Sequence, residues 1–224
     1  MSEKQTKAVV WDVDGTLVDT AELHFQAWQA VSRELGREFS RADFAATFGR
    51  RNPEILRTLF GDGMSDRELT TLGERKEARY RAAAGDGVEL LPGVRSLVEA
   101  LNRAGFAQAI GSSAPHANLE LILHLTGIAP FLAAVVGSED TQRGKPDPQV
   151  FLLAAERLRV PPSRCVVFED AVAGVQAARA AEMKCVAVRC VGHHSEASLF
   201  QAGADLVVET LAEVSARTIE DLLG

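Results

Sequence analysis

Val9-Val10-Trp11-Asp12-Val13-Asp14-Gly15-Thr16 places two carboxylates two residues apart, where a short apolar run breaks at a glycine. The run that begins at Ala8 predicts a buried strand of a parallel sheet. In open α/β sheets, ligands bind outside the carboxyl ends of the strands. Asp12 and Asp14 would then emerge at the mouth of a crevice, on about the same side, because side chains alternate with a period of two. Two such carboxylates repel each other and resist desolvation, and a hard divalent cation relieves both problems. Alone, Asp-x-Asp-Gly also reads as an ordinary turn, so the remainder of the chain has to decide.

The 224 residues suffice for one α/β domain with a smaller insertion. Hydrophobic residues make up 46% and charged residues 25%, the balance of a soluble globular protein. A net charge of -7 with no basic stripe excludes nucleic acid as the expected partner. No apolar run approaches the ~20 residues of a membrane span. Met1 to Lys7 is short and polar, without a signal-peptide core. Cys165, Cys185 and Cys190 are odd in number, and the first two sit in apolar runs, so they read as reduced core residues of a cytoplasmic protein. A monomer is the default expectation.

Six segments predict buried strands: 8–13, 107–112, 134–137, 165–168, 185–189 and 206–208. From residue 93 onward they alternate with helical patterns over 94–102, 118–125, 150–158, 172–181 and 211–223. Val94, Leu97, Val98 and Leu101 give the clearest stripe. Repeated strand–helix units imply a parallel sheet covered on both faces. Between about Thr20 and Gly87 the periodicity is helical throughout, with no strand pattern, which predicts an inserted helical cap. The expected division is an α/β core over residues 1–18 and 88–224 and a cap over 19–87. Within the cap, 65–84 reads as a mostly exposed helix, with Leu69, Leu72, Ala78 and Arg79 spaced along it and Lys76 solvated.

Three further elements fall at the ends of later strands. Gly111-Ser112-Ser113-Ala114-Pro115 precedes a helix, and its hydroxyls and free N–H groups could form an anion site or a plain N-cap. Lys145, within Arg143-Gly144-Lys145-Pro146-Asp147-Pro148, is either a solvated loop lysine or a positioned charge on a segment stiffened by prolines. Glu169-Asp170 ends an apolar run, where adjacent acids call for a cation unless Asp170 caps the next helix.

In this order the elements resemble the haloacid dehalogenase-like hydrolase superfamily over nearly the whole chain. Its four motifs correspond to Asp12 through Thr16, Ser112, Lys145 and Glu169-Asp170. The resemblance implies a Rossmann-like, doubly wound parallel sheet with an inserted helical cap, like that of the β-phosphoglucomutases and sugar-phosphate phosphatases. It implies that Asp12 attacks phosphorus, giving an aspartyl-phosphate, and that Asp14 serves as acid and then base. Mg²⁺ would be held by Asp12, the carbonyl of Asp14, Asp170 and, directly or through water, Glu169. Lys145, Ser112 and Ser113 would bind the phosphate oxygens. Dehalogenases of this superfamily lack the second acid of the first motif, so Asp14 argues against dehalogenation.

Thr20, His24 and Trp28 lie at i, i+4 and i+8 on one helical face and closely resemble the β-phosphoglucomutase segment that couples cap closure to the general acid. Two departures weigh against the mutase. Asn52 stands where the mutase has a phosphate-gripping arginine, although Arg50 and Arg51 are adjacent, and Pro115 replaces a lysine. The expectation is a phosphatase of small phosphorylated metabolites, with sugar phosphates the leading class, and a β-phosphoglucomutase as the alternative. A non-catalytic ligand-binding module is disfavoured by the intact acids. His193-His194 reads as a polar loop opening a helix.

Overall fold

The computed structural model describes residues 6–224; Met1 to Gln5 of the polar leading stretch lie outside the described residues. The strands are β1 (Ala8–Trp11), β2 (Ala107–Gly111), β3 (Ala134–Val136), β4 (Cys165–Glu169), β5 (Lys184–Val188) and β6 (Leu206–Val208). They form one sheet in the order β3-β2-β1-β4-β5-β6, with every pairing parallel. This is the doubly wound α/β arrangement that the sequence predicts. β1 is central and buried along its whole length. It ends two residues before Val13, and its last ladder bond runs from Asp12 N to the Phe168 carbonyl at 2.9 Å.

The helices are α1 (Ala21–Glu34), α2 (Arg41–Thr47), α3 (Asn52–Phe60), α4 (Asp66–Ala84), α5 (Val94–Arg103), α6 (His116–Thr126), α7 (Gln149–Leu158), α8 (Val172–Ala180), α9 (Glu196–Ala202) and α10 (Ala216–Leu223). One sheet face buries Val9, Trp11, Ile110 and Phe168 under α5, α6 and α10. The other buries Val10, Ala109, Val167 and Cys185 under α7, α8 and α9. Trp11 stacks on Phe168 with ring centroids 4.3 Å apart. Its indole N–H donates to Gln108 at 3.0 Å, and Gln108 in turn donates to the Val98 carbonyl at 2.9 Å. A buried indole and amide are thereby satisfied inside an otherwise apolar core.

Helices α1 to α4 follow one another between β1 and α5 and bury their own apolar cluster around Trp28, Phe39, Leu56 and Leu69. The chain leaves and re-enters the sheet layer at one place: Val18 and Leu90 form an antiparallel bridge, and Leu91 N donates to the Leu17 carbonyl at 2.9 Å. No helix among the described residues is long and apolar enough to cross a membrane.

Two expectations need correction. The segment 211–223 is not one helix. A short 3-10 turn (Leu211–Glu213) precedes α10, because Ser215 opens α10 with its own capping box to Thr218. Helix α4 is exposed over most of its surface, as expected, but its buried face is not the expected one. Its buried stripe is Leu69, Leu72, Gly73, Lys76, Glu77, Tyr80 and Ala84, whereas Ala78 and Arg79 face solvent. Lys76, expected to be solvated, is 2% exposed because Glu77 neutralises it within the same buried face.

Candidate active site

The parallel register pairs Trp11 with Phe168, so the residues that follow β1 and β4 emerge side by side. Asp12, Glu169 and Asp170 are all buried there. Lys145 arrives from the loop before α7, itself only 1% exposed, and donates from Nζ to Asp12 Oδ1 at 2.6 Å and to Glu169 Oε1 at 2.7 Å. The ring of Phe151 lies 4.8 Å beneath that ammonium. Glu169 Oε2 accepts the backbone N–H groups of Asp170 and Ala171, each at 2.9 Å. Glu169 therefore both holds Lys145 and ties down the backbone leading into α8, a helix that neither it nor Asp170 caps.

The charge balance of this cluster is incomplete. Burial, with Glu169 and Asp14 adding to it against the pull of Lys145, pushes Asp12 up to about 8. Burial and the charges of Glu169 and Asp12 push Asp170 well above the ordinary carboxylate range. Asp170 Oδ2 is buried without a partner, which is expensive for a charge. Oxygens of Asp12, Glu169 and Asp170 lie within 4.8 Å of one another. An all-oxygen donor set with an orphaned carboxylate suits a hard cation such as Mg²⁺. Gly15 keeps this pocket open: it adopts φ +88°, and a Cβ there would stand 2.0 Å from Asp170 Oδ2.

Asp14 turns toward the inserted helices instead. Its Oδ1 accepts the Thr20 hydroxyl at 2.5 Å, and His24 Nε2 lies 3.1 Å from the same oxygen. Burial opposes ionisation of Asp14, but His24, Thr20 and Lys76 outweigh it and hold the carboxyl down to about 2. Lys76 Nζ stands 2.6 Å from His24 Nδ1 and 3.0 Å from Glu77 Oε1. His24 thus stands between the Lys76 ammonium and the Asp14 carboxylate, with Nδ1 toward the first and Nε2 toward the second. The rings of His24 and Tyr80 stack at 4.0 Å. Glu77 also accepts from Asn52 at 2.8 Å and from Asn118 at 2.6 Å. Lys76, Glu77 and Tyr80 are absent from the candidates read in the sequence; a stripe recounted through Leu69, Leu72, Lys76 and Tyr80 could have found them.

The remaining candidates divide. Ser112 is buried beside the cavity, its hydroxyl accepting from Ala114 N at 3.1 Å. Ser113 donates its hydroxyl to the Gly49 carbonyl at 2.8 Å, toward the inserted helices. A cavity of about 50 Å³ is lined by Asp12, Asp14, His24, Trp28, Arg50, Asn52 and Lys76, among others. Arg50 is exposed at its edge, and its guanidinium has no partner among the described residues. Arg51 points away and binds backbone carbonyls of Ser138 and Thr141. His193, expected in a polar loop, packs against Phe44 and Phe48 with centroids 5.5 and 4.8 Å away.

Residues 6–182 match the family model of the haloacid dehalogenase-like hydrolases. The chain is 34% identical to the fructose-1-phosphate phosphatase YqaB of Escherichia coli strain K12, covering 81% of this chain and 95% of that protein. It is 33% identical to a β-phosphoglucomutase of Mycobacterium bovis, covering 94% of this chain and 92% of that one. The crystal structure of a β-phosphoglucomutase from Clostridium difficile superposes with a TM-score of 0.87 at 24% identity, over 98% of this chain and 97% of its own. With a family model spanning most of its length and relatives of more than 30% identity aligned over four-fifths or more of it, the chain belongs to the haloacid dehalogenase-like hydrolases.

Proposed function

We propose that the protein is a Mg²⁺-dependent phosphatase of small phosphate monoesters, with sugar phosphates the leading substrate class and α1 to α4 acting as a cap. The observation that carries the reading is a buried carboxylate, Asp12, gripped by Lys145 at 2.6 Å beside the unpartnered Asp170. Asp12 attacks phosphorus in line and forms an aspartyl-phosphate. Lys145 neutralises charge on the nucleophile and on a phosphoryl oxygen, and Ser112 with nearby backbone N–H groups takes the others. Asp14 is ionised in the arrangement seen here. Once it has taken up a proton, away from the His24 and Lys76 contacts that hold it ionised, it delivers that proton to the leaving oxygen and, as the carboxylate, later removes one from water. A bound Mg²⁺, held by Asp12, Asp170 and the Asp14 carbonyl, with Glu169 at its side, would offset repulsion between the two anions. A pocket for a drug-sized ligand takes roughly 300 Å³ or more, so the 50 Å³ cavity corresponds to a closed cap that opens to admit substrate.

Hydrolysis is favoured over isomerisation by the far end of the cavity. A mutase has to grip a second phosphate, yet of the cap residues lining the cavity Asn52 spends its amide on Glu77 and Lys76 is neutralised by Glu77. That leaves the exposed Arg50 at the edge as the one uncompensated cap cation there among the described residues. The test is phosphate release from a panel of sugar phosphates, nucleotides and aryl phosphates with and without Mg²⁺. Asp12→Asn is expected to lower turnover by about 10³-fold or more while the protein stays folded. Appreciable turnover by the variant removes Asp12 as nucleophile. Glucose 6-phosphate as the main product from β-glucose 1-phosphate would establish the mutase instead.

A further inference from the structure

Helix α3 enters the seam between the inserted helices and the core with two charged residues one turn apart. Arg51 sends Nη1 to the Thr141 carbonyl at 3.0 Å and Nη2 to the Ser138 carbonyl at 2.9 Å. Glu54 Oε1 accepts the Gly144 N–H at 3.2 Å. Gly144 lies under both: a Cβ there would stand 2.6 Å from Glu54 Oε1 and 2.7 Å from Arg51 Cδ. The gripped segment runs directly into Lys145. Its ties to the core include Gln149 accepting from Gln142 N and Arg143 N, Ser138 N donating to the Ala114 carbonyl, and Asp140 accepting from Gly137 N, His116 and Arg157.

A seam that only needs adhesion can pair side chain with side chain, and long side chains tolerate drift. Here two charged side chains bind neutral main-chain groups of a single loop, which fixes the path of the backbone itself. That backbone carries the ammonium held against Asp12 and Glu169. We propose that Arg51 and Glu54 are positioning residues for Lys145. With α3 seated on Gly144, the loop is held so that Nζ registers with Asp12; with α3 lifted, that hold is released. Closure over substrate and placement of the lysine are then one event.

The inference rests on Lys145 serving Asp12 in the proposed reaction, and its test has a readout independent of turnover. Hydrogen exchange by mass spectrometry is followed over residues 138–148 of the full chain, beside kcat and KM for a small aryl phosphate with Mg²⁺. Arg51→Ala and Gly144→Ala are expected to speed exchange of that segment about tenfold, with α1 and β4 unchanged. They are expected to lower kcat about 10- to 100-fold, the scale of a displaced catalytic group, and to move KM less than about threefold. Glu54→Gln, which keeps an acceptor oxygen, retains protection that Glu54→Ala loses. Arg51→Lys replaces Arg51→Ala if the latter does not fold, and Arg57→Ala on the same helix is the control. Unchanged exchange of 138–148 in both Arg51→Ala and Gly144→Ala overturns the proposal. Protection lost equally throughout α1 to α4 also overturns it, since the contacts would then serve cap stability alone. A wild-type protein without phosphatase activity refutes the proposed function, while the exchange measurement still decides this inference.

Discussion

Lys76 and Glu77 are adjacent charges at 2% and 5% exposure, and everything around them is arranged to make that tolerable. Lys76 donates hydrogen bonds to His24 and Glu77, and Glu77 accepts others from Asn52 and Asn118. Removing one member of a buried pair strands the other. Lys76→Met is therefore expected to lower the unfolding free energy by about 3 kcal/mol in urea titration. Lys76→Met combined with Glu77→Gln should recover part of that loss, and simple additivity of the two would show that the charges are not coupled. The same pair shows why part of the site is illegible in the sequence. Asp12, Lys145 and Asp170 announce themselves because each interrupts an apolar run or sits among prolines and glycines. Lys76-Glu77 sits among Glu74, Arg75 and Arg79, and nothing local distinguishes a charge facing a neighbour from one facing water.

At the scale of elements, the strands were readable because a parallel sheet buried on both faces leaves unbroken apolar runs. The ends were less so: β1 stops at Trp11 because the chain must already be turning to present Asp12 and Asp14. The break before α10 lay in the spacing Ser215-x-x-Thr218, a capping signal within an otherwise helical pattern. The turn after β3 was not readable, since its order depends on residues far along the chain. Asp140 there accepts from Gly137 N, His116 and Arg157. Partial burial would raise its pKa, but the hydrogen bonds from Arg157, Gly137 and His116 prevail and hold it down to about 2, below the ordinary 3.8. A depressed carboxyl stabilises the fold above its unfolded value and loses that contribution as pH falls through its folded one. Asp140→Asn should cost about 1 kcal/mol at neutral pH after solvent screening. That deficit is expected to close as pH drops from 3.8 toward about 2 in pH-dependent urea titrations. A deficit independent of pH would assign the loss to hydrogen-bond geometry rather than charge.

For the molecule as a whole, the buried acidic cluster joining β1 and β4 is costly to fold, and under the proposed function a cation would offset that cost. A cation that binds only the folded chain stabilises it by mass action. Thermal unfolding is expected to shift upward with Mg²⁺, worth about 3 kcal/mol at a hundredfold excess over Kd. Asp170→Asn should flatten that response and, without Mg²⁺, unfold at a higher temperature than the wild type, because one buried repulsion is gone. Equal Mg²⁺ responses in both proteins would place the ion elsewhere. The bridge between Val18 and Leu90 has a consequence of another kind. Because the outgoing and returning strands of chain touch there, everything between them hangs from a single doorway. Lengthening, shortening or exchanging what lies beyond it adds little loop-closure entropy and leaves the pairing of β1 with β2 and β4 as it was. The sheet can thus keep its pairing while the segment beyond the doorway is exchanged, but any replacement has to bring its own partners for Asp14 and for the loop that carries Lys145.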